Sequence, residues 1–299
     1  MFQLVYIMKS ALNTLLLLFV MVVFWSSCQT LTSDSEKLKT VAPISKDLKE
    51  LSGLIMRRNH LWTLEDSGNE SCIYEIGLDG TIKATICFES LPNKDWEAIT
   101  SDAQHNWYIG DFGNNANDRK DLVIYKVSTT TSKITDSIFF SYPEQDAYPP
   151  EKTARYYDCE AFFYFEGYLY LFTKNRSKLF DGTTFLYKVP ATSGKHEAVK
   201  LGAIQTCSSY RSCVITDAAI SLDGKKVALL GHDRIWLFEN YEGDQFLSGT
   251  FSTFSLGHYS QKEGICFATN DLLYIVDERD KKSGGNLYEV SIEELKNAH

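Results

Sequence analysis

The 299-residue sequence predicts an all-β fold, a β-propeller of five blades. Three observations point to it. The composition favours strands: 17 Tyr, 18 Phe and only 6 Pro in a chain that is 44% hydrophobic. One four-strand unit recurs along the chain, and a recurring unit of this size is the mark of a propeller blade. Each unit also opens on the same short figure, a small residue followed by an aliphatic or aromatic one.

The opening figures are Ser52-Gly53-Leu54, Glu97-Ala98-Ile99, Glu160-Ala161-Phe162, Ala218-Ala219-Ile220 and Glu263-Gly264-Ile265. A second strand comes about ten residues later in most units, as at Trp107-Tyr108-Ile109 and Leu169-Tyr170-Leu171. After a polar loop comes a third strand with an aromatic near its centre: Tyr74, Tyr125, Tyr187, Trp236 and Tyr288. A fourth apolar segment closes units one to four: 82–88, 134–142, 198–204 and 250–256. Unit five ends instead on Ser291-Ile-Glu-Glu294, a capping-box pattern that predicts a short helix. Its missing strand is expected from 37–43, so that the two chain ends close the ring and hide the open edges. The long insertions leave room for a sixth blade. An all-β sandwich is the competing fold, but sandwich strands need not repeat one figure at a fixed offset.

The N-terminus reads as a targeting segment. Lys9 precedes an apolar run over 15–25, too short to span a bilayer and suited to a signal-peptide core. Ser26-Ser27-Cys28 resembles the lipobox of bacterial lipoproteins, with Trp25 where an aliphatic residue is usual. This gives a signal peptide over 1–27, a lipidated Cys28, a polar tether over 28–36 and a propeller over 37–299. An ordinary cleaved signal with an incidental cysteine is the alternative. The expected location is the bacterial cell envelope, on a lipid anchor alone, or else secretion. The net charge of −9 argues against nucleic acid, which selects clustered Lys and Arg.

Six further cysteines in an oxidising compartment can pair. Leu78-Asp79-Gly80-Thr81 looks like a two-residue hairpin turn, whose register sets Cys72 opposite Cys87. Cys207 and Cys213 would close a short loop. Cys159 and Cys266 fall in apolar strands and read as free, buried thiols; reduced thiols throughout are the alternative.

The first strand of each blade lines a propeller's central channel, so the opening carboxylates converge. Glu97, Glu160 and Glu263 should ring the axis, with Ser52 in that place in blade one and Asp217 or Ala218 in blade four. Asp95 and Asp158 should lie nearer the mouth. Such a ring must be protonated, paired with Lys or Arg, or bound to a cation. Oxygen-only ligands in a roomy ring suit Ca²⁺, with Ser52, Glu97, Glu160 and Glu263 as its candidate ligands. The competing role is structural, each carboxylate bonding the backbone of the next blade. The loops after the second strands are polar and lie on the same face. They offer Asp66, Asp111, Asn114, Arg119, Lys174, Arg176, Asp233, Asp277 and Arg279 for a ligand there. No G-x-S-x-G elbow, His-Glu-x-x-His pair or P-loop occurs, so no catalytic residue can be named.

Taken together, "ELSGL", "EDSGN", "DWEAI", "YIGDFGNN" with Arg119 after it, "DCEAF", "LYLFTKN" and "EGICF" resemble an uncharacterised family of secreted bacterial β-propeller proteins. More distantly, "ELSGL" and the repeated "xEGI"-like strands are similar to the SdiA-regulated propeller family. The blade-start pattern is also similar to the calcium-activated nucleotidases, five-bladed propellers with Ca²⁺ in the channel. That resemblance implies a metal near Ser52, Glu97, Glu160 and Glu263, although the carboxylate register differs in blades two and three.

Three functions stand as expectations. The first is a lipid-anchored, monomeric propeller with channel Ca²⁺, acting as a scaffold or binding a small molecule or protein on the channel face. The second is a Ca²⁺-dependent hydrolase of phosphate esters or anhydrides, with Lys174, Arg176 or Arg279 balancing charge and Asp66, Asp111 or Glu97 activating water. The third is a sugar-active enzyme working through a carboxylate pair.

Overall fold

The computed structural model describes residues 38–104, 106–280 and 283–297. The expected signal peptide, Cys28 and the tether lie outside the described residues. Five sheets, each built on a run of four antiparallel strands, succeed one another along the chain as blades. Blade one runs Leu51–Arg57, His60–Glu65, Cys72–Ile76, Ile82–Cys87. Blade two runs Trp96–Ser101, Trp107–Asp111, Val123–Ser128, Lys133–Ser141. Blade three takes Asp158–Phe165, Tyr168–Lys174, Thr183–Pro190 and Val199–Gln205, and blade four Asp217–Ile220, Lys226–Leu230, Arg234–Glu239 and Thr250–Ser255. Blade five has Lys262–Phe267, Leu272–Asp277 and Asn286–Ser291, and its outer strand is Lys39–Pro43, paired antiparallel with Asn286–Ser291. The ring therefore closes with one strand from the start of the chain and three from its end. No sixth blade is hidden among the described residues.

Each inner strand begins on one face of the ring, here the upper face, where the loops between second and third strands and the linkers between blades also lie. The hairpins between inner and second strands lie on the lower face. The chain ends of the described body share that lower face, because Lys39 pairs with Glu289 near the end of the third strand of blade five. The capping box forms as the sequence implies. Glu294 N–H donates to Ser291 Oγ at 3.0 Å and Ser291 N–H to Glu294 Oε2 at 3.1 Å, starting the helix Ile292–Asn297.

The core lies between blades. Trp96 is fully buried among Ile55, Leu64, Ile73, Phe88 and Ile99, filling the seam between blades one and two. Removing an indole of this size from water contributes on the order of 5 kcal/mol. Its Nε1–H donates to Pro92 O at 3.1 Å, so the buried polar atom is satisfied.

Both expected disulfides are present. Cys72 and Cys87 pair across the third and fourth strands of blade one, in the register read from the turn. Cys207–Cys213 closes the linker into blade four, while Cys159 and Cys266 are free and buried.

Two features depart from expectation. Blade two has a fifth strand, because Gly194–Glu197 from the third blade's outer connection pairs in parallel with Lys133–Ser141. The inner strands of blades one, two, three and five are also bulged, and the unpaired residues are Gly53, Glu97, Glu160 and Glu263. The ring position in blade one is thus Gly53, not Ser52. A side chain cannot be accommodated there: φ is +73°, and a Cβ would lie 2.8 Å from the Ala98 Cα. Ser52 sits one position earlier, its hydroxyl donating to the Glu97 carbonyl and tying the inner strands of blades one and two together.

Candidate functional site

A bulge leaves one residue without a strand partner, freeing its side chain to aim where the ladder would not send it. Three bulges carry glutamate, so Glu97, Glu160 and Glu263 lie buried at the upper end of the axis. The mouth they form is electrostatically uneven.

On the blade-three side the carboxylates are paired with cations. Lys174 Nζ bonds Glu160 Oε2, and Arg176 donates from one terminal nitrogen to Glu160 Oε1 at 2.5 Å. Arg176 Nε donates to Asp158 Oδ2 at 2.5 Å, and Asn114 N–H to Asp158 Oδ1 at 2.6 Å. Burial pushes the Glu160 carboxyl upward, while Lys174 and Arg176 pull it back. With a cation on each oxygen, the ionised form is the one this geometry holds. Burial works against the Lys174 ammonium too, but Glu160 and Glu263 outweigh it and its pKa rises. The remaining Arg176 nitrogen donates to the Tyr210 hydroxyl at 2.6 Å. Tyr210 stands on the short helix Tyr210–Cys213, which the Cys207–Cys213 bridge pins against the mouth.

The other side is acidic and holds no such ion pair among the described residues; two of its carboxylates meet amides instead, with Gln261 Nε2 donating to Glu278 Oε2 at 2.8 Å and Asn69 Nδ2 to Asp66 Oδ1 at 3.3 Å. Asp66 lies just past the second strand of blade one, Asp95 and Glu97 belong to blade two, and Glu263 and Glu278 to blade five. Among the described residues, no Lys or Arg lies within ion-pairing distance of Asp66, Asp95, Glu97 or Glu278. Burial pushes Asp66 up to about 7, reinforced by Glu50, Asp95 and Glu263. It pushes Glu278 up to about 9, reinforced by Glu263 and Asp66. Glu97 is raised well above the carboxylate range by burial and then by Glu160, Asp158 and Asp95. Asp95 is raised by burial, partly offset by a hydrogen bond from Ser67. Glu263 meets His232, whose Nε2 lies 3.3 Å from Oε1. The His232 Nδ1 sits 3.1 Å from the Arg211 carbonyl, which can only accept, so Nδ1 carries a proton.

Other residues singled out by sequence hold the scaffold. Asp111 accepts from Arg119 at 2.8 Å and from the backbone of Lys94 and Asp95. Burial raises its pKa and Arg119 restrains the rise. Arg119 also donates to the Gly113 and Asp111 carbonyls and to Asp121. Asn114 bridges blades two and three through Asp158 and the Tyr157 carbonyl. Asp277 accepts from Asn286 N–H at 2.7 Å and the Tyr288 hydroxyl at 2.8 Å. Asp233 is held by its neighbour Arg234, and Arg279 reaches the Ile44 carbonyl behind the ring-closing strand. Asp217 accepts the N–H groups of Ala218 and Ile265 at 2.8 and 2.7 Å, pinning blade four to blade five. These residues carry out the structural role weighed for the ring.

Sequence reasoning placed Asp95 near the mouth but not in the ligand set, and it passed over Glu278. The signal for Glu278 was its place beside Asp277 in the loop "VDERD". The strand end aims Asp277 inward at its own sheet, which leaves its neighbour to face the mouth.

The donor set suits a hard cation in chemistry and only partly in geometry. Asp95 Oδ2 and Glu97 Oε1 converge on Gly113, where a Cβ would lie 2.4 and 2.3 Å from them. Among the described residues, the one group of three His, Cys, Asp or Glu whose ligand atoms lie within 4.8 Å of one another is Glu70 with the bridged Cys72 and Cys87. A mouth cation would thus rest on a carboxylate pair, Asp95 with Glu97, and complete its shell with water or ligand oxygens. Glu160, expected in that set, is engaged by Lys174 and Arg176, and Ser52 by the Glu97 carbonyl.

No protein-family model and no curated protein matches the sequence. Solved structures do. The PQQ-bound aldose sugar dehydrogenase of Streptomyces coelicolor is 12% identical, with a TM-score of 0.50 over 85% of this chain and 97% of that one. Hydrazine synthase of Kuenenia stuttgartiensis has 7% identity and TM-score 0.46 over 78% and 68% of the two chains. Virginiamycin B lyase of Staphylococcus aureus has 13% identity and TM-score 0.40 over 81% and 66%. At such identities the likeness concerns the fold, and the fold is a β-propeller.

Proposed function

We propose that this propeller is a ligand-binding module whose upper mouth takes a cation, with Ca²⁺ as the ion its oxygen donors suit best. The single observation behind this reading is the cluster of Asp66, Asp95, Glu97 and Glu278, with no Lys or Arg partner among the described residues, beside a half of the same mouth that is fully paired. Glu97 is buried and Asp66, Asp95 and Glu278 are half-buried; carboxylates so placed either keep protons or gather a cation, and a cation restores the charge balance that Lys174 and Arg176 supply next door. Asp95 and Glu97 would hold the ion, and Asp66, Glu263 and Glu278 would add long-range attraction. The ion would supply charge neutralisation and open positions for oxygen atoms of a small-molecule or protein ligand. The resemblance to secreted propellers and the lipobox-like Cys28 support a cell-envelope setting on a lipid anchor.

The hydrolase reading has less behind it. Lys174 and Arg176, which would balance phosphate charge, are bonded to Glu160 and Asp158, and Arg279 is bonded to backbone behind the ring. Metal analysis of the purified protein tests the proposal. One calcium per chain in wild type, lost in the Asp95→Asn/Glu97→Gln double variant, is expected. Metal-free wild-type protein that stays so after incubation with Ca²⁺ would overturn it.

A further inference from the structure

The lower face, away from the mouth, carries a second cavity. It opens between blades one and two, outside the axis, with a volume of 570 Å³. Trp62 and Trp107 form its floor, packed edge to face with centroids 4.9 Å apart at 77°. Trp62 is only half-buried. Blade one supplies a basic rim of Arg57, Arg58 and His60, with one carboxylate, Glu75, 2.5 Å from His60 Nδ1. Blade two supplies the amides of Gln104 and Asn106 and the hydroxyls of Ser128, Thr129 and Thr130. In a chain of net charge −9, this rim is locally positive.

The hairpin that presents the basic rim is conformationally costly. It turns through Arg58 at φ 52° and Asn59 at φ 63°. Asn tolerates the left-handed region, and glycine is the favoured partner in such a two-residue turn. A long cationic side chain at that position is poorly suited to it, which directs attention to what the guanidinium does. It stands over a cavity that combines an aromatic floor, planar amides and hydroxyls.

We propose that this lower cavity binds an acidic saccharide, a pyranose bearing a carboxylate or sulfate. One indole face offers a platform for the C–H face of a sugar ring, as amphipathic aromatic surfaces do at binding sites. The amides and hydroxyls match ring hydroxyls, and Arg58 meets the anionic substituent through charge-assisted hydrogen bonds. A nucleotide fits less well. A base is held best between two parallel walls, and the second indole here is turned to 77°.

Titration calorimetry on the purified protein, run in EDTA so that no cation occupies the mouth, tests this. The probes are hexasaccharides of galacturonate, alginate and chondroitin sulfate, with maltohexaose and AMP as comparisons. At least one acidic hexasaccharide should bind, and maltohexaose and AMP should bind at least tenfold more weakly. Arg58→Gly should weaken that binding at least tenfold while Tm stays the same or rises, since glycine relieves the turn. A merely structural Arg58 would not separate the two readouts. Absence of binding to all three acidic probes, equal binding of maltohexaose or AMP, or full affinity in Arg58→Gly would overturn the proposal.

Discussion

The two halves of the upper mouth are built from the same kind of bulged strand and differ in the charges set at or just past the ends of the neighbouring second strands. In blade three these are Lys174 and Arg176, and both turn back onto Asp158 and Glu160. In blades one and five they are Asp66 and Glu278, which add charge of the same sign. A carboxylate at a bulge is therefore neutral in its meaning. The residue at the end of a neighbouring second strand decides whether it sits in an ion pair or is left without a Lys or Arg partner.

The largest effect expected from this contrast is on the paired side. Arg176→Ala leaves Asp158 and Glu160 buried with one cation between them, and should cost about 3–5 kcal/mol in urea unfolding. A loss under about 1 kcal/mol would show that the pairing is not needed. Next, Asp217→Ala removes the acceptor for two backbone N–H groups at the axis and should cost about 1–3 kcal/mol by the same assay. On the open side the sign reverses. Glu97→Gln in EDTA at pH 8 should leave stability unchanged or raise it by about 1 kcal/mol, because it relieves repulsion among buried carboxylates. A loss above about 2 kcal/mol would place Glu97 among the structural groups.

The pH dependence sharpens the same point. Asp66 and Glu278 have folded-state pKa values raised above those of the unfolded chain, to about 7 and about 9. From the unfolded value of about 4 up to these folded values, the folded protein binds more protons than the unfolded one. Their contribution is complete below about pH 4. It is lost as pH rises through about 7 and then about 9. In EDTA, the contribution of these two carboxyls to stability, measured by urea unfolding, should thus decline from about pH 4 to about pH 9. With Ca²⁺ present the decline should shrink, since the ion competes with those protons. Parallel curves with and without Ca²⁺ would contradict this.

Much of the fold was legible because a propeller repeats its evidence. Five small–apolar figures, five third-strand aromatics and the absent fourth strand of unit five indicated both blade count and closure by 37–43. The hairpin turn at Asp79-Gly80 was enough to set Cys72 against Cys87. The parallel strand Gly194–Glu197 was not legible, because its pairing joins two blades and leaves no local pattern. The site was read less well. A bulge shifts register by one residue, so Ser52 and Gly53 could not be told apart from spacing. Asp277 and Glu278 are adjacent in one loop, and only the aim of the strand end separates the buried hydrogen-bond acceptor from the mouth carboxylate. Loop charge identified Lys174 and Arg176 as site residues without showing that their partners are Glu160 and Asp158.

The central claim, that the open half of the mouth is a cation site, is tested most directly by thermal unfolding at pH 8 with EDTA and then with Ca²⁺. The wild type should gain about 2.7 kcal/mol when free Ca²⁺ is about a hundred times its Kd, seen as a rise in Tm. Asp95→Asn/Glu97→Gln should gain nothing. A wild-type Tm identical in EDTA and in millimolar Ca²⁺ would contradict the account.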